Sequence, residues 1–250
     1  MTKKRLDIAL VERKLVTSRS QAESWIKLGK VTVNNHIVVK PGYFVDTVAE
    51  IKLMADEQYV SRAGLKLASV AGIFKLDFKD KTVLDIGSST GGFTDYALRH
   101  GAKKVVAVDV GTDQLHPSLR GNKKIELHEK TDIRDFNMDE KPDIVVMDVS
   151  FISLREILPH VYNSLSGKNT QIVAMVKPQF EAGKGQTNKG IIKNDSMRRQ
   201  ILKDFEEWSH QYFVIRNKRD SDVAGAKGNQ ERFYLLTLNR NSTTSSGRII

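Results

Sequence analysis

The chain has no cysteine among its 250 residues. It can therefore form no disulfide, and it lacks both a thiolate nucleophile and the cysteine ligands of a structural zinc site. Its six histidines are scattered and show no paired ligand spacing. The sequence thus predicts a protein without a metal site.

Long apolar runs are missing as well. No stretch approaches the roughly 20 apolar residues that a membrane-spanning helix requires, and the first residues, MTKKRLDIALVERK, lack the apolar centre of a signal peptide. We therefore expect a soluble cytoplasmic protein with no membrane partner. With 40% apolar residues, the chain is long enough for one large domain and one small one.

Acidic residues are in the minority. The chain has 40 Lys and Arg against 30 Asp and Glu, a formal net charge of +10. Residues 1–45 hold nine basic and three acidic residues, so a net +6 lies in less than a fifth of the chain. This concentration favours a polyanion-binding module, although a solvated basic face without a partner would have the same composition.

The basic segment has the pattern of two short helices followed by a hairpin. Residues 5–14 and 18–29 carry apolar residues at helical spacing, and the second run opens at the candidate caps Ser18 and Ser20. Two β-branched runs then flank Asn34-Asn35, which is a hairpin turn signal.

This segment resembles the S4 RNA-binding domain in Ser18-Arg19-Ser20-Gln21-Ala22, Gly29-Lys30-Val31 and Val33-Asn34. In that family the second helix and the start of the hairpin lie against RNA backbone. The resemblance therefore implies RNA contacts at four basic residues, Arg5, Arg19, Lys27 and Lys30. Contacts to the backbone add affinity but no choice of sequence.

A second pattern lies at Thr82–Thr94, TVLDIGSSTGGFT. An apolar β-branched run leads into Gly87, Gly91 and Gly92 and then into a helical pattern, as in a buried strand, a tight turn and a helix N-terminus. The dinucleotide-binding fingerprint would need glycine where Ser89 stands, but its ribose-binding acid is present as Asp109. These features favour a nucleoside site without a pyrophosphate, and S-adenosylmethionine fits better than NAD. A plain strand-to-helix turn is the alternative.

Beyond this turn, strands and helices alternate. Together with Thr82–Ile86, the predicted strands number seven: Lys104–Val110, Ile125–His128, Asp143–Val149, Gln171–Lys177, Tyr212–Lys218 and Arg232–Leu238. Helices are predicted at Tyr59–Phe74, Phe93–His100, Ser153–Ser164 and Ser196–His210. The alternation predicts a doubly wound α/β sheet with ligands at the carboxyl ends of its strands.

Charged residues stand where apolar strands end. Burying such a charge costs free energy unless the charge is paired or takes part in function. Lys66, Asp148, Lys177 and Glu231 occur in the order of the Lys-Asp-Lys-Glu tetrad of the FtsJ superfamily of 2′-O-ribose methyltransferases. The chain resembles most closely the TlyA family, which has an S4 domain in front. The matching motifs are YVSRAG with Lys66-Leu67 (from Tyr59), DIGSSTGGFT (from Asp85), DVSFIS (from Asp148), VKPQFE (from Val176) and GNQE (from Gly228).

The resemblance implies a Rossmann-like seven-stranded S-adenosylmethionine methyltransferase domain, its last strand antiparallel, behind a small α+β S4 domain. We predict an S4 domain at 1–53, a linker at 54–58, the methyltransferase domain at 59–240 and a disordered tail at 241–250. The implied partner is ribosomal RNA or a ribosomal subunit, and the implied reaction is 2′-O-methylation of cytidine.

The resemblance also implies roles for individual residues. Lys177 is the candidate base, since burial and the neighbouring cation Lys66 can bring a lysine pKa from about 10.4 towards neutrality. Asp148 would orient Lys177, and Glu231 would hold Lys66 or the ribose. The residues implied to bind the cofactor are Asp85, Gly87, Ser88, Gly91, Gly92 and Phe93 for the methionine part, Asp109 for the ribose, and Val110 and Asp132 for the adenine.

Other interpretations remain open at this stage. The four charged residues could form only a structural ion-pair network, Glu231 could be only a strand-end charge, and Val110 could belong to the core. The whole chain could be an inactive RNA-binding protein of the same fold. A membrane-damaging haemolysin, a label attached to relatives in this family, would need a lipid-entering segment that the sequence does not show.

Overall fold

The computed structural model describes residues 3–16, 18–27, 29–54, 59–183, 187, 190–192, 194–223, 225 and 228–239. Residues 55–58 of the predicted linker and the predicted tail 241–250 lie outside the described residues. No helix in the described part of the chain combines the length and the apolar character that crossing a bilayer requires.

The N-terminal part is a small α+β unit. Its elements are β1 (Lys3–Arg5), α1 (Leu6–Glu12), α2 (Arg19–Lys27), β2 (Val31–Val33), β3 (His36–Ile37), β4 (Phe44–Asp46) and β5 (Ile51–Leu53). Strand β1 pairs with β4, and β2 lies between β3 and β5. The two predicted helices and the hairpin are confirmed: Asn34 and Asn35 have φ values of 47° and 64°, and the Ser18 hydroxyl accepts the Gln21 N–H at 3.2 Å.

The larger part is a seven-stranded sheet with helices on both faces. Its elements are α3 (Arg62–Ala71), β6 (Thr82–Ile86), α4 (Gly92–Arg99), β7 (Lys104–Val108), β8 (Ile125–His128), β9 (Ile144–Met147), α5 (Leu154–His160), β10 (Gln171–Val176), α6 (Pro178–Glu181), α7 (Asp195–Ser209), β11 (Phe213–Asp220) and β12 (Arg232–Leu238). The strand order is β11-β12-β10-β9-β6-β7-β8, with β12 antiparallel to both of its neighbours. The predicted fold class is confirmed, including the antiparallel last strand.

Two helices differ from their predicted extents. The helix predicted from Tyr59 begins at Arg62, because the Tyr59 carbonyl and the Val60 N–H are engaged in tertiary hydrogen bonds with Gln21 and Asp95. Helix α5 ends at His160 and continues as one π-helical turn at Val161–Leu165. Its Pro159 has no N–H to donate, which disturbs the ladder of the preceding helix.

Alternate strand residues form two separate apolar cores. On the α3 face of the sheet, Val83, Val146 and Phe233 pack with α3 and α4. On the opposite face, Leu84, Val145 and Tyr234 pack with α5 and α7. The core on the α3 face continues into the N-terminal unit, and the buried Gln21 carboxamide donates to the Tyr59 carbonyl at 3.0 Å between the two parts.

Helices α3 and α4 approach each other closely at two glycines. A Cβ added to Gly64 would lie 2.5 Å from Tyr59 Cβ and 3.1 Å from the Gly92 carbonyl oxygen, and one added to Gly92 would meet Ser61 and Ala63. Because α3 carries Lys66 and α4 begins at the glycine turn, this contact fixes the position of Lys66 relative to that turn.

We expect Gly64→Ala to lower the free energy of unfolding by about 1–3 kcal/mol, the usual cost of an overpacked contact. Urea unfolding followed by circular dichroism measures this change. Gly72→Ala is the matched control, because Gly72 has right-handed helical angles and open space around its Cβ position. It should be neutral or stabilise by less than about 1 kcal/mol. Equal effects of the two substitutions would contradict the close packing.

Candidate active site

The candidate catalytic residues lie at the ends of neighbouring strands. Asp148 follows β9, Lys177 follows β10, and Glu231 precedes β12. The ladder between β10 and β12 ends with Val176 opposite Arg232, so the next step brings Lys177 beside Glu231. The strand register therefore brings together residues that are up to 83 positions apart in sequence.

These charged residues also share one face of the sheet. Side chains alternate along a strand, so Asp85 is on the side of Val83, Asp148 on that of Val146, and Lys177 on that of Met175. Glu231 is on the same side, because it lies two residues before Phe233. Lys66 belongs to α3, the helix that covers this face.

The four members of the predicted tetrad form two buried ion pairs. Lys66 Nζ lies 2.5 Å from Glu231 Oε2, and these side chains are 9% and 2% exposed. Lys177 Nζ lies 2.6 Å from Asp148 Oδ1, in an ion pair without hydrogen-bond alignment, and donates a hydrogen bond to Ser150 Oγ at 2.8 Å. Each buried cation thus faces one carboxylate, which offsets much of the cost of taking both out of water.

The glycine turn lies beside the second of these pairs. Gly87 and Gly91 have φ values of 77° and 86°, which favour glycine, and Ser89 is also left-handed at 46°. A Cβ on Gly87 would lie 3.0 Å from the Asp148 carbonyl oxygen, so a side chain would crowd the neighbouring strand end. Among the described residues, the buried Ser88 hydroxyl has no hydrogen-bond partner.

Asp85 is a buried carboxyl group with one unsatisfied oxygen. Thr94 Oγ1 donates to Asp85 Oδ2 at 2.6 Å, whereas Oδ1 has no hydrogen-bond partner within the described part of the chain. Burial raises the pKa of Asp85 to about 7; the Asp148 carboxylate adds to the rise, and the Thr94 hydroxyl opposes it. An unpaired carboxyl group at such a turn is suited to a cationic group of a ligand.

Two connected pockets open at the carboxyl edge of the sheet. The smaller, of about 150 Å³, contains Asp85, Ser88, Phe93, Asp148 and Lys177. The larger, of about 340 Å³, has a mainly apolar lining that also includes the carboxylates of Asp109, Asp132 and Asp148. Both pockets include the same four residues, Gly87, Ser89, Asp148 and Ser150.

Besides Gly87, three of the predicted cofactor residues line the larger pocket. Asp109 accepts the Ser89 N–H at 2.8 Å and the Gly111 N–H at 2.7 Å, so it also fixes the glycine turn. Asp132 pairs with Arg134 at 2.7 Å, and this guanidinium lowers the pKa of Asp132. Val110 is 72% exposed at this pocket, so it does not belong to the core.

Four predicted site residues line neither pocket. Gly91 and Gly92 allow close packing instead, Gly91 against Leu115 and Leu119 and Gly92 against α3. Lys66 and Glu231 form the buried pair described above, at the strand end next to Lys177.

The predicted RNA contacts lie on the N-terminal unit. Arg5 Nη2 and Arg19 Nε both lie 2.8 Å from Asp7 Oδ2, and the Asp7 side chain has no exposed surface. The hydrogen bond from Arg5 is the main cause that lowers the pKa of Asp7. Lys27 and Lys30 are exposed.

Sequence reasoning missed three residues of these sites. No sequence pattern identified Asp7, because a single acidic residue has no partner at a regular spacing from which its role could be inferred. Ser150 and Phe151 were quoted only as parts of the motif after Asp148, although Ser150 is bonded to Lys177. Phe151 is 91% exposed with φ at 67° and lines the larger pocket.

A seven-stranded sheet with this order, an antiparallel last strand, and a glycine turn beside connected pockets at its carboxyl edge defines a Rossmann-like methyltransferase. The chain belongs to the FtsJ-like methyltransferase family, whose model matches residues 59–239, and it carries an S4 domain, whose model matches residues 4–51.

Similar proteins cover most of the chain. The 23S rRNA (cytidine-2′-O)-methyltransferase TlyA of Campylobacter jejuni is 41% identical over 81% of this chain and 78% of its own length. The 16S/23S rRNA (cytidine-2′-O)-methyltransferase TlyA of Mycobacterium tuberculosis is 36% identical over 93% and 89%. A solved Streptococcus thermophilus protein with a provisional hemolysin name has a TM-score of 0.70 and 36% identity, covering 97% of this chain and 93% of that one. The resemblance to the TlyA family is thus confirmed.

We expect Asp85→Asn to stabilise the unliganded protein in a pH-dependent manner. The unfolded carboxyl group has a pKa near 3.9 and the folded one a pKa of about 7, so folding disfavours ionised Asp85. The penalty is absent below about pH 4, grows as the pH rises to 7, and is constant above that. The difference in unfolding free energy between variant and wild type should therefore increase over this window, by up to about 4 kcal/mol.

Urea unfolding at a series of pH values measures this difference. Asp139→Asn, at an exposed carboxyl group, is the control and should differ from wild type by a constant amount. A pH-independent difference for Asp85→Asn would show that folding leaves the pKa of Asp85 at its unfolded value.

Proposed function

We propose that this protein transfers a methyl group from S-adenosylmethionine to the ribose 2′-hydroxyl of a cytidine in ribosomal RNA. The observation that carries the proposal is the Lys177–Asp148 pair, which lies in the smaller pocket beside the glycine turn. The TlyA relatives are named for this reaction. The proposed ribosomal substrate supports a cytoplasmic location.

The residues around the two pockets fit S-adenosylmethionine. In the smaller pocket, the unsatisfied Asp85 oxygen and Ser88 hydroxyl suit the charged amino and carboxylate groups of a methionine part. In the larger pocket, Asp109 suits ribose hydroxyls, and Val110, Asp132 and Ile133 suit an adenine. The bound cofactor supplies an electrophilic methyl group on a positively charged sulfur.

The chemical work of the protein is to activate a poor nucleophile. In its neutral form, Lys177 would accept the proton of the 2′-hydroxyl through Nζ, so that the ribose oxygen could take the methyl group while the sulfur of the cofactor keeps the electron pair of the broken sulfur–methyl bond. The ion pair with Asp148 and the hydrogen bond to Ser150 Oγ hold Lys177 Nζ in the smaller pocket. Holding both reactants in line supplies much of the acceleration.

The second ion pair supports the first. Lys66 belongs to α3, which covers the face of the sheet where Lys177 lies. Glu231 holds Lys66 at 2.5 Å and stands at the strand position next to Lys177. Lys66 and Glu231 are proposed as the catalytic partners of Lys177 and Asp148, and a purely structural ion pair is the alternative.

The N-terminal unit supplies affinity for RNA. Arg5, Arg19, Lys27 and Lys30 are proposed to contact phosphates, as the match to the S4 domain supports. Phosphate contacts hold the substrate in place without reading its sequence, so the choice of nucleotide falls to the catalytic domain and the shape of the ribosomal RNA.

We expect Lys177→Met to lower kcat at least 100-fold, because the 2′-hydroxyl loses its proton acceptor. The affinity for S-adenosylmethionine should change by less than about tenfold, since the glycine turn and Asp109 stay intact. Transfer of labelled methyl groups to ribosomal subunits from a strain without the enzyme measures kcat, and calorimetry measures cofactor binding.

Lys203→Met, at a 67% exposed lysine, is the control and should be fully active. Equal labelling by Lys177→Met and wild type would remove Lys177 from the mechanism. A wild-type protein that binds the subunits but transfers no methyl group would support the inactive RNA-binding alternative.

We expect the double substitution Arg19→Gln and Lys30→Gln to weaken binding to ribosomal subunits and to flatten its salt dependence. Each lost phosphate contact should reduce the slope of log K against log salt by about 0.7–0.9. Filter binding across a salt series measures the slope, and cofactor affinity should stay unchanged.

The control is the double substitution Lys168→Gln and Lys203→Gln, which removes the same charge from exposed positions of the catalytic domain. If both pairs reduce the slope equally, net charge rather than the N-terminal unit determines RNA binding.

A further inference from the structure

An exposed aromatic side chain stands next to the arginine pair of the N-terminal unit. In the β1–β4 ladder, Phe44 is directly opposite Arg5, so the two side chains project from the same face. Phe44 is 60% exposed, whereas its neighbour Val45 points to the other face and is 2% exposed in the core. Strand β4 thus packs Val45 into the core and presents Phe44 to solvent.

The arginines beside Phe44 are held in a fixed arrangement. Arg5 Nη2 and Arg19 Nε each lie 2.8 Å from the same Asp7 oxygen, so the distance between these two nitrogens is at most twice 2.8 Å. Both guanidinium groups have exposed surface and Asp7 has none, although Glu23 lies 3.7 Å from Arg19 Nε. A Cβ on Gly42 would lie 3.6 Å from Arg5 Cζ, so this guanidinium rests against the chain that leads into Phe44.

We infer that Phe44 stacks on an unpaired base of the RNA substrate, and that Arg5 and Arg19 bind the phosphate of the same nucleotide. This inference rests on the proposed function. An aromatic ring beside cations matches the two components of a nucleotide, a flat base and a charged phosphate. The base must be unpaired, because a paired base in an A-form helix is already stacked and its deep groove excludes side chains.

The surroundings of Phe44 favour RNA over an apolar protein partner. On the same face of this two-stranded ladder stand Lys3, Arg5 and Asp46, so Phe44 is the one apolar residue that these two strands place on this face. A protein-binding surface would instead have a contiguous apolar centre with few charged residues. The two arginines share the single buried carboxylate of Asp7, and RNA phosphates would supply further negative charge.

The first test compares three variants in binding to ribosomal subunits that lack the modification. Phe44→Leu keeps an apolar side chain but not the ring, and we expect it to bind about 5- to 100-fold more weakly, the range found for loss of one stacked base. Phe44→Trp should bind as tightly as wild type. Ile37→Ala, at a side chain of similar exposure (62%), is the control and should leave binding unchanged.

Steady-state methylation separates this inference from the proposed function. Phe44→Leu should raise KM for the subunits while kcat at saturation and cofactor affinity stay at the wild-type values. Wild-type methylation with equal KM for Phe44→Leu and Phe44→Trp would overturn the stacking inference alone. Absence of binding and methylation by the wild type would overturn both.

A photo-crosslinking amino acid at position 44 tests the occupant directly. We expect p-benzoylphenylalanine there to crosslink to a ribosomal RNA nucleotide that is unpaired in the subunit, whereas the same residue at position 37 should not give that crosslink. A crosslink to a base-paired nucleotide or to a ribosomal protein would overturn the inference.

Discussion

Two buried lysine–carboxylate pairs constrain this molecule more than any other interaction. Each pair lies at a strand end on the same face of the sheet, with side chains that are at most 15% exposed. Removing one partner from such a pair leaves an uncompensated charge out of water, which typically costs about 3–5 kcal/mol. The stability of each pair therefore depends on both of its members. The fold holds these groups in place before any proton transfer takes place.

The rest of the catalytic domain positions this edge. Parallel strands β6 and β9 deliver Asp85, the glycine turn and Asp148, and the antiparallel β12 delivers Glu231 next to Lys177. A parallel last strand would end, not begin, at this edge. The carboxyl group of Asp85 is kept in a site that opposes its ionisation, so the turn retains unsatisfied polarity for a ligand to complete.

Much of the fold could be predicted, since local patterns determine it. All seven strands lie within two residues of their predicted ends, and the central ones are short β-branched apolar runs bounded by turns. The pairing of β1 with β4 could not be predicted, since three-residue strands 39 positions apart carry almost no pattern. The helix predicted from Tyr59 began late, because tertiary hydrogen bonds competed with the helix for its first backbone groups.

Some residues of the candidate site could be predicted from the sequence, and others could not. The order Lys66, Asp148, Lys177, Glu231 was found through resemblance, and no periodicity would have found it, because the contacts depend on strand register. The glycines were interpreted as ligand contacts, yet Gly91 and Gly92 line neither pocket and allow backbone packing. Asp7 and Ser150 act through their partners, and a single side chain gives no sequence signal of the group that it holds.

The hydrogen bond from Gln21 to the Tyr59 carbonyl has a consequence for domain exchange. It crosses from α2 of the S4 domain to the segment leading into α3, and it is buried within a core that both domains share. An S4 domain transplanted from another protein would leave that carbonyl unsatisfied and part of the shared core exposed. A functional chimera would therefore have to carry over the junction, including Gln21 and its apolar neighbours, together with the transplanted module.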